Sequence, residues 1–273
     1  MKEAQGFPVP RPYFDRPAPW LVAHRGGSLL APENTFAAFD RAQELGADAV
    51  ETDVRLTKDG AVVVFHDDDT ARLLGAPGTI EGRTLDELRR LDAGGRFTPD
   101  GGETFPFRGE GLRVPTLAEV FARYPEMRFN IDAKLDDAAL ARALAGVVAA
   151  AGAEDRVCLG SFFDAQADRL GVLAPRCARY FPQDAATCHV LAARAGAVGE
   201  SCPGGYDLAD LPHRLGETVV VNADVLAHFH RLGVPVHVWT VDDEVDMREL
   251  LALGVDGIVT DRPDVLKRVL GRC

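Results

Sequence analysis

No stretch of this 273-residue chain approaches the roughly 20 consecutive apolar residues that a membrane-spanning helix needs. A membrane span is therefore not expected. Positive charge is also scarce: 30 Lys and Arg stand against 42 Asp and Glu, for a net charge of -12. A field of that sign repels nucleic acid and anionic membrane surfaces, so nucleic acid is not among the expected partners. It repels a phosphodiester as well, and a phosphate site here needs local positive charge. The five cysteines, at 158, 177, 188, 202 and 273, are odd in number and contain no C-x-x-C pair. That predicts reduced thiols and a cytoplasmic setting. Cys188-His189 offers no zinc site, because adjacent side chains diverge and no matching pair follows. Residues 1–19 contain five prolines and no apolar run, so they read as an extended arm and not as a signal peptide or anchor.

The polar residues that are present concentrate. Between positions 24 and 66, short apolar runs lead into His24 and Arg25, into Glu51 and Asp53, and into His66. Such runs, bounded by turn signals, read as buried strands. Polar groups at the carboxyl ends of strands are where α/β proteins place their chemistry. Side chains alternate along a strand, so Glu51 and Asp53 share a face. Two carboxylates that close repel each other unless a cation or a proton lies between them. Asp59-Gly60 signals a two-residue hairpin; it pairs Lys58 with Ala61 and, counting back, sets Asp53 opposite His66.

Repeated strand-helix units predict an α/β fold with a parallel sheet, specifically a distorted TIM (β/α)8 barrel. One barrel domain over 20–273 follows the arm at 1–19, which is expected to cover the barrel's bottom. Nine strand candidates, beginning near 20, 47, 61, 127, 157, 178, 218, 234 and 257, compete for eight places, and no helix fits between the second and third. Residues 67–115 read as an insertion after strand three, opened by a capping box at Thr84–Glu87. Its glycine-rich part, 92–113, is expected to lie on the active-site side and shape the leaving-group pocket. In the strand at 127–134, Phe129, Ile131 and Ala133 face the helices while Asn130, Asp132 and Lys134 face the barrel mouth. His228 and His230, two apart on a helix, are expected at the surface.

The residues at 24–66 resemble the glycerophosphodiester phosphodiesterase family. The likeness continues through Ala31-Pro32-Glu33-Asn34-Thr35, Pro106-Phe107-Arg108-Gly109, Pro115-Thr116-Leu117, Asn130-Ile131-Asp132-Ala133-Lys134, Val238-Trp239-Thr240-Val241 and Gly257-Ile258-Val259-Thr260-Asp261-Arg262-Pro263. The pieces keep the family's order over nearly the whole chain.

That resemblance implies hydrolysis of a small-molecule glycerophosphodiester to sn-glycerol 3-phosphate and an alcohol. Glu51, Asp53 and Asp132 would hold one divalent cation, Ca²⁺ or Mg²⁺, to which hard oxygen ligands are suited. His24 and His66 would be the acid-base pair, working through a cyclic phosphate that water then opens. Arg25 would balance charge on the phosphoryl oxygens and, with Lys134 and Trp239, bind substrate. Lys134 reaches the phosphate or steadies Asp132. Trp239 stacks on the glycerol or head group, or packs in the core. Asp67 can orient His66. Many relatives carry glutamate where Asp132 stands and asparagine where Asp242 stands. Two rival readings remain: a lipid-acting phosphodiesterase of lysophospholipase D or sphingomyelinase D type, with Phe97, Phe105, Phe107 and Leu112 as an apolar rim, and a phosphate-ester-binding module without turnover. The oligomeric state is left open.

Overall fold

The structure, a computed structural model, describes residues 11–197 and 201–272; the first ten residues of the arm and Cys273 lie outside the described residues. The apolar run at 20–23 is buried and becomes β1, Trp20–His24. Along the chain follow β2, Ala49–Leu56; β3, Val62–Val64; β4, Phe129–Ala133; β5, Val157–Gly160; and β6, Ala178–Arg179. Then come β7, Ala209–Pro212; β8, Arg214–Leu215; β9, Thr218–Val219; β10, Val236–Trp239; and β11, Gly257–Thr260. Eight of these pair in parallel in the order β6-β5-β4-β2-β1-β11-β10-β7. A parallel bridge from Tyr180 to Leu208 joins the two ends of that order and curls the sheet into a barrel.

Helices return the chain between strands. Thr35 caps α1, Phe36–Glu44, accepting the Ala38 N–H. Short α2, Ala71–Leu74, and α3, Leu85–Leu88, precede α4, Leu117–Arg123, and both α3 and α4 open on a complete capping box. Around the rest of the barrel run α5, Ala138–Ala150; α6, Asp164–Leu173; α7, Gln183–Arg194; α8, Ala223–Arg231; α9, Glu244–Leu253; and α10, Pro263–Val269.

Period-two alternation sorts every strand into an outer and an inner face. Leu21, Ala23, Val50, Val54, Phe129, Ile131 and Ala133 join the helices in the main core, where Phe129 meets Phe39 and Phe121 edge-on. Inside the barrel, the lower layer is apolar: Trp20, Val22, Ala49, Cys158, Ala178, Leu208 and Val259. Tyr13, in a 3-10 turn of the arm, is wholly buried in that cluster, and its hydroxyl donates to Asn130 Oδ1 at 2.5 Å. Higher in the barrel the inward positions turn polar, and the functional side chains gather there. Gly160 lies among them, and a Cβ at that position would stand 2.2 Å from the Tyr180 ring. Only glycine lets the tyrosine cross the barrel there.

Four expectations are corrected. The apolar segment at 218–221 is not a barrel strand; β9 pairs with β8 in a separate surface hairpin. The missing barrel strand is β7, whose Ala-Asp-Leu-Pro sequence is too short and polar to give an apolar run. With β3 off the barrel path and paired antiparallel to β2, the count closes at eight.

The β2–β3 register is also one residue away from expectation. Thr57, not Lys58, receives the turn: its N–H donates to Ala61 O, and Val54 pairs with Val64. A three-residue loop with Gly60 at φ 84 replaces the two-residue turn, and the Asp59 carboxylate accepts the Thr57 hydroxyl within it. Asp53 therefore stands opposite Phe65, whose N–H donates to Asp53 O, and His66 follows one residue on.

Cys188 and Cys202 form a disulfide, which corrects the expectation of reduced thiols throughout. Their 14-residue separation has no motif signature, and the odd count hid the pair. Cys158 and Cys177 are free and buried. Finally, His228 is buried against His189, 3.0 Å away; the steeply amphipathic α8 turns it inward, while His230 reaches Asp256 at 2.7 Å near the surface.

Candidate active site

His24, Arg25, Glu51, Asp53, His66, Asp132, Lys134 and Trp239 all line one cavity of about 630 Å³ at the carboxyl ends of the barrel strands. Register explains the convergence. β1, β2 and β4 are neighbours, with His24 paired to Glu51 and Asp53 paired to Asp132.

His24 is held from behind: its Nδ1–H donates to Asp261 Oδ1 at 2.8 Å, and its Nε2 points toward Glu51 Oε2 at 3.8 Å. Burial alone would lower its pKa, but Asp261 and Glu51 together raise it above the usual imidazole value. Asp261, at the exit of β11, is fixed in turn by Asp242, whose Oδ1 accepts the Asp261 N–H at 2.7 Å and the Thr260 hydroxyl at 2.9 Å.

His66 is oriented by its neighbour Asp67, 2.8 Å from Nδ1. Burial lowers its pKa, outweighing the opposite pull of Asp53. Asp67 is clamped by Arg72 at 2.6 and 2.8 Å, and Arg72 also grips Glu33 at 2.7 and 2.9 Å. Glu33 closes the circuit by accepting Arg25 Nη1 at 2.8 Å. The first loop and the His66 loop are therefore one hydrogen-bonded unit.

Arg25 and Asn34 adopt φ of 51 and 57, a left-handed conformation that costs a non-glycine residue roughly 1–2 kcal/mol. The strain has a local return. It aims the Arg25 N–H at Glu51 Oε2, 3.2 Å away, and brings Asn34 Nδ2 to Asp53 Oδ2 at 2.9 Å. The Arg25 guanidinium lies 3.5 Å from Asp53.

The carboxylates divide. Burial, then the neighbouring Asp53, pushes Glu51 up to about 7. Asp53 is equally buried, but Lys134 and Arg25 hold it well below the usual carboxylate range. Lys134 Nζ bridges Asp53 Oδ1 and Asp132 Oδ2 at 2.7 Å each. It makes the expected contact with Asp132 and also lines the cavity. Trp239, 36% exposed, is a cavity wall and not a core residue.

As the side chains lie, no three His, Cys, Asp or Glu among the described residues form a group that could hold a metal ion. Lys134 already provides the positive charge between Asp53 and Asp132. The donor set fits a hard divalent cation in kind, with three carboxylates on adjacent strands. Asp132 Oδ1 is also buried with no hydrogen-bond partner among the described residues.

No residue of 67–115 lines the cavity, which corrects the expectation that this segment shapes the leaving-group pocket. Its apolar residues, among them Ile80, Leu88, Val114 and the partly buried Leu112, close a satellite core with Val63 and Phe65. Phe97 packs edge-on against Phe107. The cavity's far wall comes instead from Phe162, Phe181, α7 and the β8–β9 hairpin. Asp261, Arg72, Tyr180 and Asp210 are not singled out by the sequence, which marks Asp242 only as an acidic residue where relatives carry asparagine. Asp261 and Glu33 sit inside the quoted motifs, and that was their only signal.

Comparison with known proteins finds a family model and relatives that cover most of the chain. Residues 24–265 match the model of the "Glycerophosphoryl diester phosphodiesterase family". The chain is 34% identical over 253 residues to "Probable glycerophosphodiester phosphodiesterase 2" of Mycobacterium tuberculosis, covering 91% of this chain and 89% of that protein. It is 33% identical over 252 residues to a glycerophosphodiester phosphodiesterase of Caldanaerobacter subterraneus, covering 90% and 95%. A crystal structure of glycerophosphodiester phosphodiesterase from Agrobacterium tumefaciens superposes with a TM-score of 0.71 at 28% identity, covering 90% of this chain and 98% of that one.

Proposed function

This chain belongs to the glycerophosphoryl diester phosphodiesterase family, and we propose that it hydrolyses glycerophosphodiesters to sn-glycerol 3-phosphate and an alcohol with His24 and His66 as the acid-base pair. One observation carries the reading: the two imidazoles line one cavity with pKa values displaced in opposite directions. Such a pair is suited to acid and base roles at the same pH.

His66, kept neutral by burial, takes the proton of the glycerol hydroxyl next to the phosphate. That oxygen attacks phosphorus, and the bond to the leaving alcohol breaks. His24, whose protonated form Asp261 favours, gives its proton to the departing oxygen. The alcohol leaves a cyclic phosphate. Neutral His24 then takes a proton from water, whose oxygen attacks phosphorus, and protonated His66 returns its proton to the ring oxygen that leaves. Both histidines end as they began. Arg25 and Lys134 offset the charge growing on the non-bridging oxygens.

Glu51, Asp53 and Asp132 would hold a divalent cation, Ca²⁺ or Mg²⁺. When bound, it supplies Lewis-acid stabilisation of the phosphoryl oxygens.

The test is release of glycerol 3-phosphate from glycerophosphocholine, glycerophosphoethanolamine and glycerophosphoglycerol, with Ca²⁺, Mg²⁺ or EDTA. Cation-dependent release lost in His24→Ala and Glu51→Ala supports the reading. Binding of glycerol 3-phosphate without turnover of any diester would leave the binding module in its place.

A further inference from the structure

The cavity has two unlike halves, and the proposed chemistry uses only one. The ends of β1, β2 and β4, with His66 in the loop after β3, supply the histidines, arginine, lysine and all the lining carboxylates but Asp210 of β7. The opposite strand ends supply Phe162 after β5, Phe181 after β6, Pro212 of β7 and Trp239 of β10. Beyond them the wall rises through Val190 and Leu191 of α7 and Leu215 of the β8–β9 hairpin. Three of these apolar side chains are largely open to water: Phe162 at 55%, Leu191 at 61% and Leu215 at 66%. Apolar surface gathered at the mouth of a site marks something that covers it in use.

The wall is built in advance. The Cys188–Cys202 disulfide ties α7 to the segment beyond it. The Arg194 guanidinium at the end of α7 donates to the carbonyls of Val219 and Val220 beside the hairpin. At about 630 Å³, the cavity falls in the range of roughly 300–1,000 Å³ typical of sites for drug-sized ligands. A short polar diester seated at the histidines would leave the apolar half facing water.

We propose that this enzyme prefers glycerophosphodiesters carrying one long hydrocarbon chain, which lies along the trough between α7 and the β8–β9 hairpin while the phosphodiester sits among His24, Arg25 and His66. The inference rests on the phosphodiesterase reading above and narrows its substrate class. The chain can hang from the glycerol or from the leaving alcohol, since Phe162, Phe181, Val190, Leu191 and Leu215 offer it apolar contact whichever end carries it, with Gln183, Thr187, Arg194 and Thr218 as the polar part of the same wall. Hydrolysis follows the same two steps, with water as the only co-reactant, and yields either an acyl glycerol phosphate or a long-chain alcohol.

The experiment compares kcat/KM for glycerophosphocholine, a 1-acyl lysophosphatidylcholine and a glycerophospho-dodecanol diester. All are held below their micelle concentrations, and product phosphate esters are resolved by ³¹P NMR. Each methylene fully buried should favour binding about fourfold, so at least one chain-bearing substrate should exceed glycerophosphocholine by tenfold or more. Which one does so assigns the chain to the glycerol or to the alcohol. Leu191→Glu and Leu215→Asp should each cut that ratio at least fivefold. Turnover of glycerophosphocholine with no gain from either chain overturns the inference and leaves the phosphodiesterase reading standing.

A gain seen only with micelles or phosphatidylglycerol vesicles, together with sedimentation on those vesicles, also overturns it and makes the rim a membrane-docking face. Should no diester turn over, the phosphodiesterase reading fails, and dodecylphosphocholine binding followed by Trp239 emission decides the trough separately. Saturable blue-shifted emission lost in Leu191→Glu keeps the chain site, and an unchanged spectrum removes it.

Discussion

Asp242 holds the backbone of Asp261 through a 2.7 Å hydrogen bond, and Asp261 in turn holds His24 at 2.8 Å. The acidic residue at 242 thus has a definite place. It lies behind the His24 imidazole, one step beyond Asp261, and fixes the backbone that presents that partner.

Asp261→Asn removes the charge that raises His24. The folded-state pKa of His24 should fall, and the alkaline limb of the kcat/KM profile should move to lower pH. Because the native pKa is raised, the His24–Asp261 pair contributes stability that is fully present below the unfolded imidazole value of about 6.5. That contribution is lost as pH rises through the folded pKa. The mutant should lose on the order of a hundredfold in rate near neutrality, and its thermal stability should decline less between pH 6 and 8 than the native protein's. An unmoved alkaline limb would count against His24 as the proton donor.

Asp242→Asn keeps an acceptor oxygen for the Asp261 N–H, so its pH profile should match the native one. Asp242→Ala should lower kcat by about tenfold with little change in KM, because a displaced orienting residue costs proton transfer more than binding. Equal behaviour of the two variants would show that Asp242 does not position Asp261.

Adding Ca²⁺ or Mg²⁺ should raise the melting temperature if the three carboxylates hold a cation. At a hundredfold excess over Kd the gain is about 2.7 kcal/mol, or on the order of 5–10 °C for a domain of this size. Asp132→Asn and Glu51→Gln should abolish the shift. Asp53→Asn should too, though it also strands Lys134 and Arg25, so its own stability needs measuring without cation.

Gly160→Ala places a methyl 2.2 Å from the Tyr180 ring, inside the barrel where the ring cannot move without emptying its own site. Overpacking of this kind costs about 1–3 kcal/mol, and the melting temperature should fall by roughly 2–12 °C. Adding Tyr180→Phe should recover none of it, since the clash involves ring carbons.

Much of this was legible in the sequence because it depends on period two. The alternation at 129–134 put Asp132 and Lys134 on the inner face and Phe129 and Ile131 on the outer one, and it did so with no help from distant residues. Thr84 and Thr116 announced their helices by the same kind of local rule. The failures share the opposite character. Asp261 reaches His24 across 237 residues of sequence, and Cys188 finds Cys202 only because α7 and the loop after it fold back. β7 could be recognised only from its neighbours, since Asp210 interrupts its apolar pattern. Gly60 shifted the hairpin by one residue because a left-handed position suits a three-residue loop as well as a two-residue one. The apolar trough was sought in the wrong segment: phenylalanines at 97, 105 and 107 look like a rim in sequence, but they fold away from the cavity.

The most direct measurement is the pH dependence of glycerol 3-phosphate release from glycerophosphocholine by the native protein, His24→Ala and His66→Ala. The native profile should be bell-shaped, with its acid limb set by His66 and its alkaline limb by His24. Each alanine variant should lose on the order of a hundredfold or more and retain only the limb of the remaining histidine. Full activity in either variant, or a native profile flat across pH 5–9, would contradict acid-base catalysis by this pair.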